Sequence, residues 1–468
     1  VNTQTRPRLA AITGATGYIG GRLVPRLLAD GWRVRVLTRD ATRLAGRSWA
    51  PDVEVVEGDG GDPSTLARLL EGAEAGWYLV HSMDGKGDFV SRDRRLAQAF
   101  AAAADAAGVR RIIYLSGLHP DGELSPHLAS RVEVGEVFLH APVPAAVLQA
   151  GVVLGDGSAS FDMLRHLTER LPAMIAPKWV HNKIQPIAVD DAVHYLAAAA
   201  DLPPDLNRTF DIAGPDVLSY GQMMRGYARA ARLGPRLIVT VPVLTPWLAS
   251  HWVGVVTPVP AGVAKPLVGS LVHDAVADES DLAALVGEPP GGAAGFDEAV
   301  ERALVGIDAR RWQRTAAGTA AMVLGCAVAG GVATTPSSRW YQGLRKPAWQ
   351  PPAWLFGPVW TALYAGIVLT STRTLTELES SGRADERSGY QRALITNLLL
   401  NAGWSATFFR VRRLGPATVH AGLLALSSAD LARRAGAAGR GKALSLLPYA
   451  AWCGFATALT AAVWRRNR

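Results

Sequence analysis

Three glycines, Gly14, Gly17 and Gly20, recur at three-residue spacing in TGATGYIG, residues 13–20. Residues 8–13 before them are a short apolar run. A helical pattern through Leu23, Leu27 and Leu28 follows. Strand, glycine turn and helix together make a dinucleotide cradle. Without side chains, the backbone N–H groups approach a pyrophosphate at a helix N-terminus, where aligned peptide dipoles favour an anion. Gly14, Thr16, Gly17, Tyr18, Ile19 and Gly20 are therefore cofactor candidates. The next run, residues 33–38, ends in Arg39-Asp40. An acid at that strand end suits the ribose 2′-OH of NAD, and a base suits a 2′-phosphate. With Arg39 first and Arg35 and Arg43 nearby, NADP(H) is favoured over NAD(H); a solvated strand-end charge is the other reading of Arg39. Asp59 follows a strand at residues 53–56, placed either to accept from an adenine amino group or to close a turn.

These residues need a scaffold that brings strand ends together. Strand candidates at residues 77–80, 111–115 and 145–149 alternate with helical stretches at 90–107, 158–171 and 219–232. That alternation predicts an α/β domain with a doubly wound parallel sheet. Ligands of such sheets sit at the carboxyl ends of the strands. Ser82 and Ser116 fall there and are candidates for the same site. Residues 237–264 hold no Asp, Glu, Lys or Arg, but Pro242, Pro246, Pro258 and Pro260 interrupt a spanning helix. With Trp247 and Trp252 the stretch reads either as an interfacial segment or as part of a soluble core.

The back of the chain has a different chemistry. Uncharged apolar runs occupy residues 316–335, 353–372, 393–409, 414–429 and 443–464. They predict an all-α bundle of five membrane-spanning helices over residues 310–468, after an α/β domain over residues 8–309. Residues 310–468 carry 20 Lys and Arg against 5 Asp and Glu, and eight of the 14 tryptophans fall between 312 and 464. Basic and aromatic residues at run ends are what a bilayer interface selects. The acidic front half argues against nucleic acid as a partner. Asn397 and Asn401, four apart on the third run, share a face with Trp404 and Phe408. Amides in hydrocarbon must be paired, so they face inward as helix–helix glue or as a ligand cavity. Cys326 and Cys453 lie inside apolar runs and indicate neither a disulfide nor a metal site. Residues 340–364 pack four tryptophans, four prolines and two tyrosines into a stiff aromatic loop leading into a helix. The start of the chain shows no apolar signal core, so the front domain is expected in the cytoplasm, with a multi-pass anchor in the cell membrane.

Residues 8–305 resemble the short-chain dehydrogenase/reductase superfamily in its extended or atypical branch. The resemblance rests on TGATGYIG (13–20), GD (58–59), YLSGL (114–118), IQPIAVDDAVHYL (184–196) and FDIAGP (210–215). It implies a nicotinamide cofactor and a catalytic Ser with a Tyr-x-x-x-Lys pair. The chain departs from this, with no tyrosine between Tyr114 and Tyr195 and no lysine between Lys86 and Lys178. His127 and Arg131 stand at the same offset. This makes Ser116, His127 and Arg131 the catalytic candidates, with His127 as proton donor and Arg131 as cofactor ligand. A binding fold without dehydrogenase chemistry is the alternative.

Residues 316–464 resemble the TspO/MBR family of tryptophan-rich sensory proteins. The resemblance rests on WY (340–341), LRKPAWQPPAW (344–354), FGPVWTALY (356–364), NLLLNAGWSATFF (397–409) and PYAAWCGFA (448–456). It implies a bundle whose first loop caps a cavity for a porphyrin (haem included), a related tetrapyrrole or a sterol. The pocket candidates are Trp340, Trp349, Trp354, Asn401, Trp404, Phe408 and Trp452. The chain carries Thr460 where the family often has Asn. The whole is expected to be a membrane-bound NAD(P)(H)-linked oxidoreductase or redox sensor. The alternative is a non-enzymatic receptor or transporter with a nucleotide-sensing domain. A homodimer through the bundle is a further candidate arrangement.

Overall fold

The structure, a computed structural model, describes residues 7–80, 89–119, 124–241, 253, 256–259 and 261–468. The chain divides into two compact units, residues 1–309 and 310–468.

The first unit is built on a parallel sheet. Its strands are β1 (Leu9–Thr13), β2 (Arg33–Thr38), β3 (Glu54–Glu57), β4 (Ala75–Tyr78), β5 (Arg111–Gly117), β6 (Ala145–Ala150) and β7 (Arg208–Ile212). Among the described residues they lie in the order β7-β6-β5-β4-β1-β2-β3, every neighbouring pair parallel. The order reverses at β1, which pairs with β2 on one side and β4 on the other. This switch point is where doubly wound sheets open a crevice for a ligand.

Alternation of side chains decides the two layers. Ala10 and Ile12 of β1 point into a core with Leu23, Val24 and Leu27 of α1 (Gly20–Ala29). Leu9 and Ala11 point into the other layer. That layer is covered by α2 (Pro63–Leu70), α3 (Phe89–Ala106) and α4 (Pro126–Leu139). Each β1 residue is thus buried, as a central parallel strand requires. Trp77 of β4 is fully buried. Its ring stacks edge-on against Trp32, and its indole N–H donates to the Leu196 carbonyl at 2.8 Å.

A second lobe of this unit gathers α5 (Ala159–Arg170), α7 (Tyr220–Ala230) and α8 (Phe296–Ala303) around Phe161, Tyr227 and Phe296. Helix α6 (Val189–Ala198) belongs to the sheet's core through Ala192, Val193 and Leu196. Two strands, Ala173–Pro177 and Leu237–Val241, pair in parallel apart from the main sheet. Of the uncharged stretch 237–264, the first five residues are therefore strand. Pro242, Pro246, Trp247, Trp252 and Pro260 lie outside the described residues.

The second unit is helical. Its long helices are α9 (Arg311–Ala333), α10 (Ala353–Ser380), α11 (Ala384–Phe409), α12 (Leu414–Ala435) and α13 (Arg440–Arg466). Among the described residues, α9, α10 and α13 are long and apolar enough to cross a membrane. Helices α11 and α12 carry charged turns that dilute their apolar stretch. The helices run past the uncharged runs read from sequence because residues such as Glu377, Glu379 and Asp385 continue the hydrogen-bond ladder beyond the apolar part.

The side-chain arrangement is inverted relative to a water-soluble bundle. Leu324, Val328, Leu399, Val419, Leu423 and Leu426 are exposed, whereas Asn397, Asn401, Ser371 and Ser428 are buried. Contacts orient the helices as well. Arg311 at the start of α9 pairs with Glu379 at 3.8 Å, and Arg410 at the end of α11 donates to the Val332 carbonyl at 2.7 Å. The entry to α9 and the aromatic loop after it therefore lie at opposite ends of the bundle.

Candidate functional site

The glycine turn closes with the Gly17 N–H donating to the Gly14 carbonyl at 2.9 Å. Gly14 has a φ of +79°, and a Cβ there would stand 2.5 Å from the Leu79 carbonyl oxygen. At Gly20 a Cβ would stand 2.4 Å from the Gly14 oxygen. The tight turn and the close start of α1 both require glycine. Thr16 is half-buried and Gly17 exposed, so the turn presents backbone to the crevice. Tyr18 packs inward. Its buried hydroxyl has no hydrogen-bond partner, Arg22 lies over its ring, and burial pushes its pKa up to about 12. The cradle, shaped so that a side chain would fill it, fits a dinucleotide pyrophosphate.

At the end of β2, Arg39 and Asp40 are both exposed. The Asp40 carboxylate accepts from the Thr42 N–H at 2.9 Å and the Thr42 hydroxyl at 2.6 Å, which hold its pKa below the usual range. It thus serves as a local cap. Arg35 is turned away from the crevice. Its guanidinium pairs with Glu54 and donates to the carbonyls of Arg68, Leu69 and Glu71, closing the end of α2. Arg35 therefore adds no charge at the nucleotide end, contrary to the sequence reading. Arg47, which that reading passed over, donates to the Thr16 carbonyl at 3.2 Å and lies along the glycine turn. No local motif marks it; only the fold brings it there. One Asp59 carboxylate oxygen accepts from the Gly61 N–H at 2.7 Å, as a turn does. Ser82 lies outside the described residues.

The end of β5 brings Ser116 and Arg131 together and sets His127 one turn before Arg131 on α4. Ser116 is 1% exposed, and its hydroxyl donates to the Arg131 carbonyl at 3.5 Å. The Tyr114 hydroxyl donates to the same oxygen at 3.3 Å. The Arg131 guanidinium donates to the Leu115 carbonyl at 2.6 Å, binding α4 to the strand. Burial lowers the His127 pKa to about 4, and the nearby Arg131 charge adds to it. At neutral pH this imidazole is therefore uncharged, about one molecule in a thousand being protonated. A second polar pair escaped the sequence reading. Gln149, opposite Ser116 in the register of β5 and β6, contacts His119 with its side-chain nitrogen 3.1 Å from His119 Nε2.

In the second unit Asn397 and Asn401 belong to one buried network. The Tyr449 hydroxyl donates to Asn397 Oδ1 at 2.8 Å and accepts from Asn401 Nδ2 at 3.0 Å. Asn397 also donates to Ser428 at 3.0 Å. Asn401 Oδ1 accepts from the Tyr364 hydroxyl at 2.9 Å and from Cys326 Sγ at 3.5 Å. The network ties α9, α10, α11, α12 and α13 together. Beside it lies a cavity of about 70 Å³ lined by Phe356, Trp360, Trp404, Trp452, Phe455 and Thr460, among others. Of the sequence candidates, Trp404 and Trp452 line it. Trp340, outside the lining, and Trp404 flank Phe408, with ring centroids 5.6 and 5.4 Å from it. Trp349 lies against Phe455 at 5.8 Å, half-exposed, and Trp354 is exposed. The Trp404 indole N–H is buried without a partner.

Comparison with known proteins agrees with this division. Residues 318–465 match the TspO/MBR family, and residues 14–141 match the NAD(P)H-binding family. The human translocator protein is 38% identical over 152 residues, covering 32% of this chain and 87% of its own. The ceramide reductase of Caulobacter vibrioides is 35% identical over 238 residues, covering 49% of this chain and 73% of its own. That span is longer than the second unit and so reaches into the first. Among solved structures, the Citrobacter sp. triphenylmethane reductase in complex with NADP(H) covers 64% of this chain and all of its own. It is 18% identical, with a TM-score of 0.50. At that identity the likeness shows the fold of the first unit. The chain belongs to the TspO/MBR family as a fusion in which an NAD(P)H-binding, reductase-like domain precedes the TspO domain.

Proposed function

We propose that this protein is a membrane-anchored, NADPH-dependent reductase of a carbonyl on a ceramide-like long-chain lipid, with a TspO unit that binds a hydrophobic ligand of its own. The observation that carries the proposal is the glycine cradle at the sheet's switch point, with Arg39 exposed beside it and the neighbouring Asp40 carboxylate already capped. The 35% identity to a ceramide reductase supports the substrate class.

When bound, the nicotinamide supplies a hydride to the carbonyl carbon. The backbone of residues 14–20 and the start of α1 hold the pyrophosphate. Arg39 and Arg47 hold the 2′-phosphate, and this preference for NADP(H) is part of the proposal. His127, kept neutral by burial, hydrogen-bonds the carbonyl oxygen through a ring N–H as negative charge develops there, and the resulting alkoxide takes its proton from water to give the alcohol. Arg131 positions α4 against β5 and so fixes His127 relative to Ser116.

The second unit is read as five spans. The outward apolar side chains of α11 and α12 (Leu399, Val419, Leu423 and Leu426) support spanning by these two helices as well. The first unit then lies in the cytoplasm, where NADPH is available, and the cell membrane is the proposed site. The ligand of the bundle is proposed to be a tetrapyrrole or sterol. The cavity of about 70 Å³ must expand to take either, since ligand pockets run to roughly 300–1,000 Å³.

The test is nucleotide oxidation by the reconstituted full chain given a ceramide-like ketone. Oxidation of NADPH in preference to NADH, with formation of the alcohol, is the expected result. No reduction of any lipid ketone, with porphyrin binding intact, overturns it in favour of a receptor or sensor. That second reading is supported by the engagement of both Ser116 and Arg131 with backbone carbonyls.

A further inference from the structure

The parallel ribbon formed by Ala173–Pro177 and Leu237–Val241 has one face in the second lobe's core and one face outward. Met174 and Ile238, opposite each other in register, pack against that core. The alternate positions face the other way. Ile175 is 63% exposed, Leu237 63% and Val239 48%, and Ile175 and Val239 are direct register partners. The solvent face of a half-buried sheet is normally polar. Here both strands turn aliphatic side chains outward.

The charge next to the ribbon is inverted as well. Arg236, immediately before Leu237, is 7% exposed. Its guanidinium donates inward, to the carbonyls of Thr168 and Gly234, both at 2.7 Å. A cation is folded in while a leucine is turned out. Lys178, directly after the other strand, is exposed at the ribbon's rim. An aliphatic face with a lysine at its rim is the composition of a surface that meets the apolar–polar boundary of a bilayer. The same chain carries helices apolar enough to cross one.

We propose that the first unit docks on the lipid bilayer through the Ile175–Leu237–Val239 face, a contact separate from the membrane helices. Such a face brings the reductase unit to the surface from which a long-chain lipid must be drawn. The inference stands apart from the chemistry at the nicotinamide site, because lipid contact can be read without turnover.

The experiment uses the full chain in liposomes, with a polarity-sensitive fluorophore on single introduced cysteines. The native Cys326 and Cys453 are buried and stay unlabelled. Probes at Ile175→Cys and Val239→Cys are compared with one at Val55→Cys on β3, which is also exposed. Spin-labelled lipid is expected to quench the first two at least threefold more than the third. Adding Ile175→Glu and Leu237→Glu is expected to bring the position-239 probe down to the control level while NADPH binding is retained. Equal quenching at all three positions overturns the proposal. So does energy transfer between copies at position 175 without lipid quenching, which assigns the face to a second chain.

Discussion

Asn467 brackets the backbone of Arg345: its side-chain oxygen accepts from the Arg345 N–H at 2.8 Å, and its side-chain nitrogen donates to the Arg345 carbonyl at 2.9 Å. Arg466 adds a bond to the Lys346 carbonyl at 3.2 Å. The end of the last helix thus holds down the aromatic loop that carries Trp340 and Trp349. Asn467→Ala removes both bracket bonds, worth about 0.5–1.5 kcal/mol each. Backbone amides around Arg345 are expected to exchange hydrogen about tenfold faster, by mass spectrometry, with no change in the first unit.

Arg39→Ala is expected to raise the KM for NADPH by about 10- to 100-fold, matching the loss of a charged hydrogen bond of about 1.5–3 kcal/mol. The KM for NADH should hardly move if, as proposed, the guanidinium holds the 2′-phosphate. Initial rates with the two nucleotides check this.

Two half-buried histidines make stability depend on pH. His127 titrates at about 4 and His166 at about 3 in the folded chain, both lowered by burial first and by neighbouring arginines second. Unfolded, each titrates near the ordinary value of about 6.5. The unfolded chain therefore binds more protons below that value, and stability falls as pH drops from about 6.5 towards 4. Melting temperatures of the purified protein across this window should decline, and less steeply in His127→Gln.

Tyr449→Phe deletes a hydroxyl that serves two buried amides. Both Asn397 and Asn401 then lose a partner, and the bundle is expected to lose about 1–2 kcal/mol, since interhelical hydrogen bonds in membranes average about 0.6 kcal/mol each. A lower melting temperature in detergent, with the circular dichroism of the helices unchanged, is the readout.

Trp404→Phe keeps a ring against Phe408 and removes the partnerless indole N–H. The ligand-free protein should be as stable or slightly more so. If the N–H serves a bound tetrapyrrole, affinity falls about tenfold by fluorescence titration, for the loss of about 1–1.5 kcal/mol.

Local sequence carried the parts of this architecture that depend on local chemistry. The glycine spacing at 14, 17 and 20 reports a turn whose geometry excludes a Cβ, so the cradle was readable from eight residues. The i,i+4 spacing of Asn397 and Asn401 reports a shared inward face. What joins remote segments was not readable. Arg35 and Arg47 look equivalent in the sequence, yet Arg35 closes α2 and Arg47 reaches the turn, because only the fold decides which carbonyls are near. Tyr449, Tyr364 and Cys326 meet the amides from other helices, and no spacing announces that. An uncharged run measures how much of a helix is apolar, not how long the helix is, which is why α10 extends to Ser380.

The amide network also constrains how the protein is made. Helix α11 emerges from the ribosome with two polar side chains whose principal partner, Tyr449, lies in the last helix. Until that helix is synthesised, the Tyr449 bonds to Asn397 and Asn401 are absent. A chain truncated before residue 449 keeps the Ser428, Tyr364 and Cys326 contacts of these amides but lacks the hydroxyl that joins Asn397 to Asn401, so the network closes only when the last helix is in place.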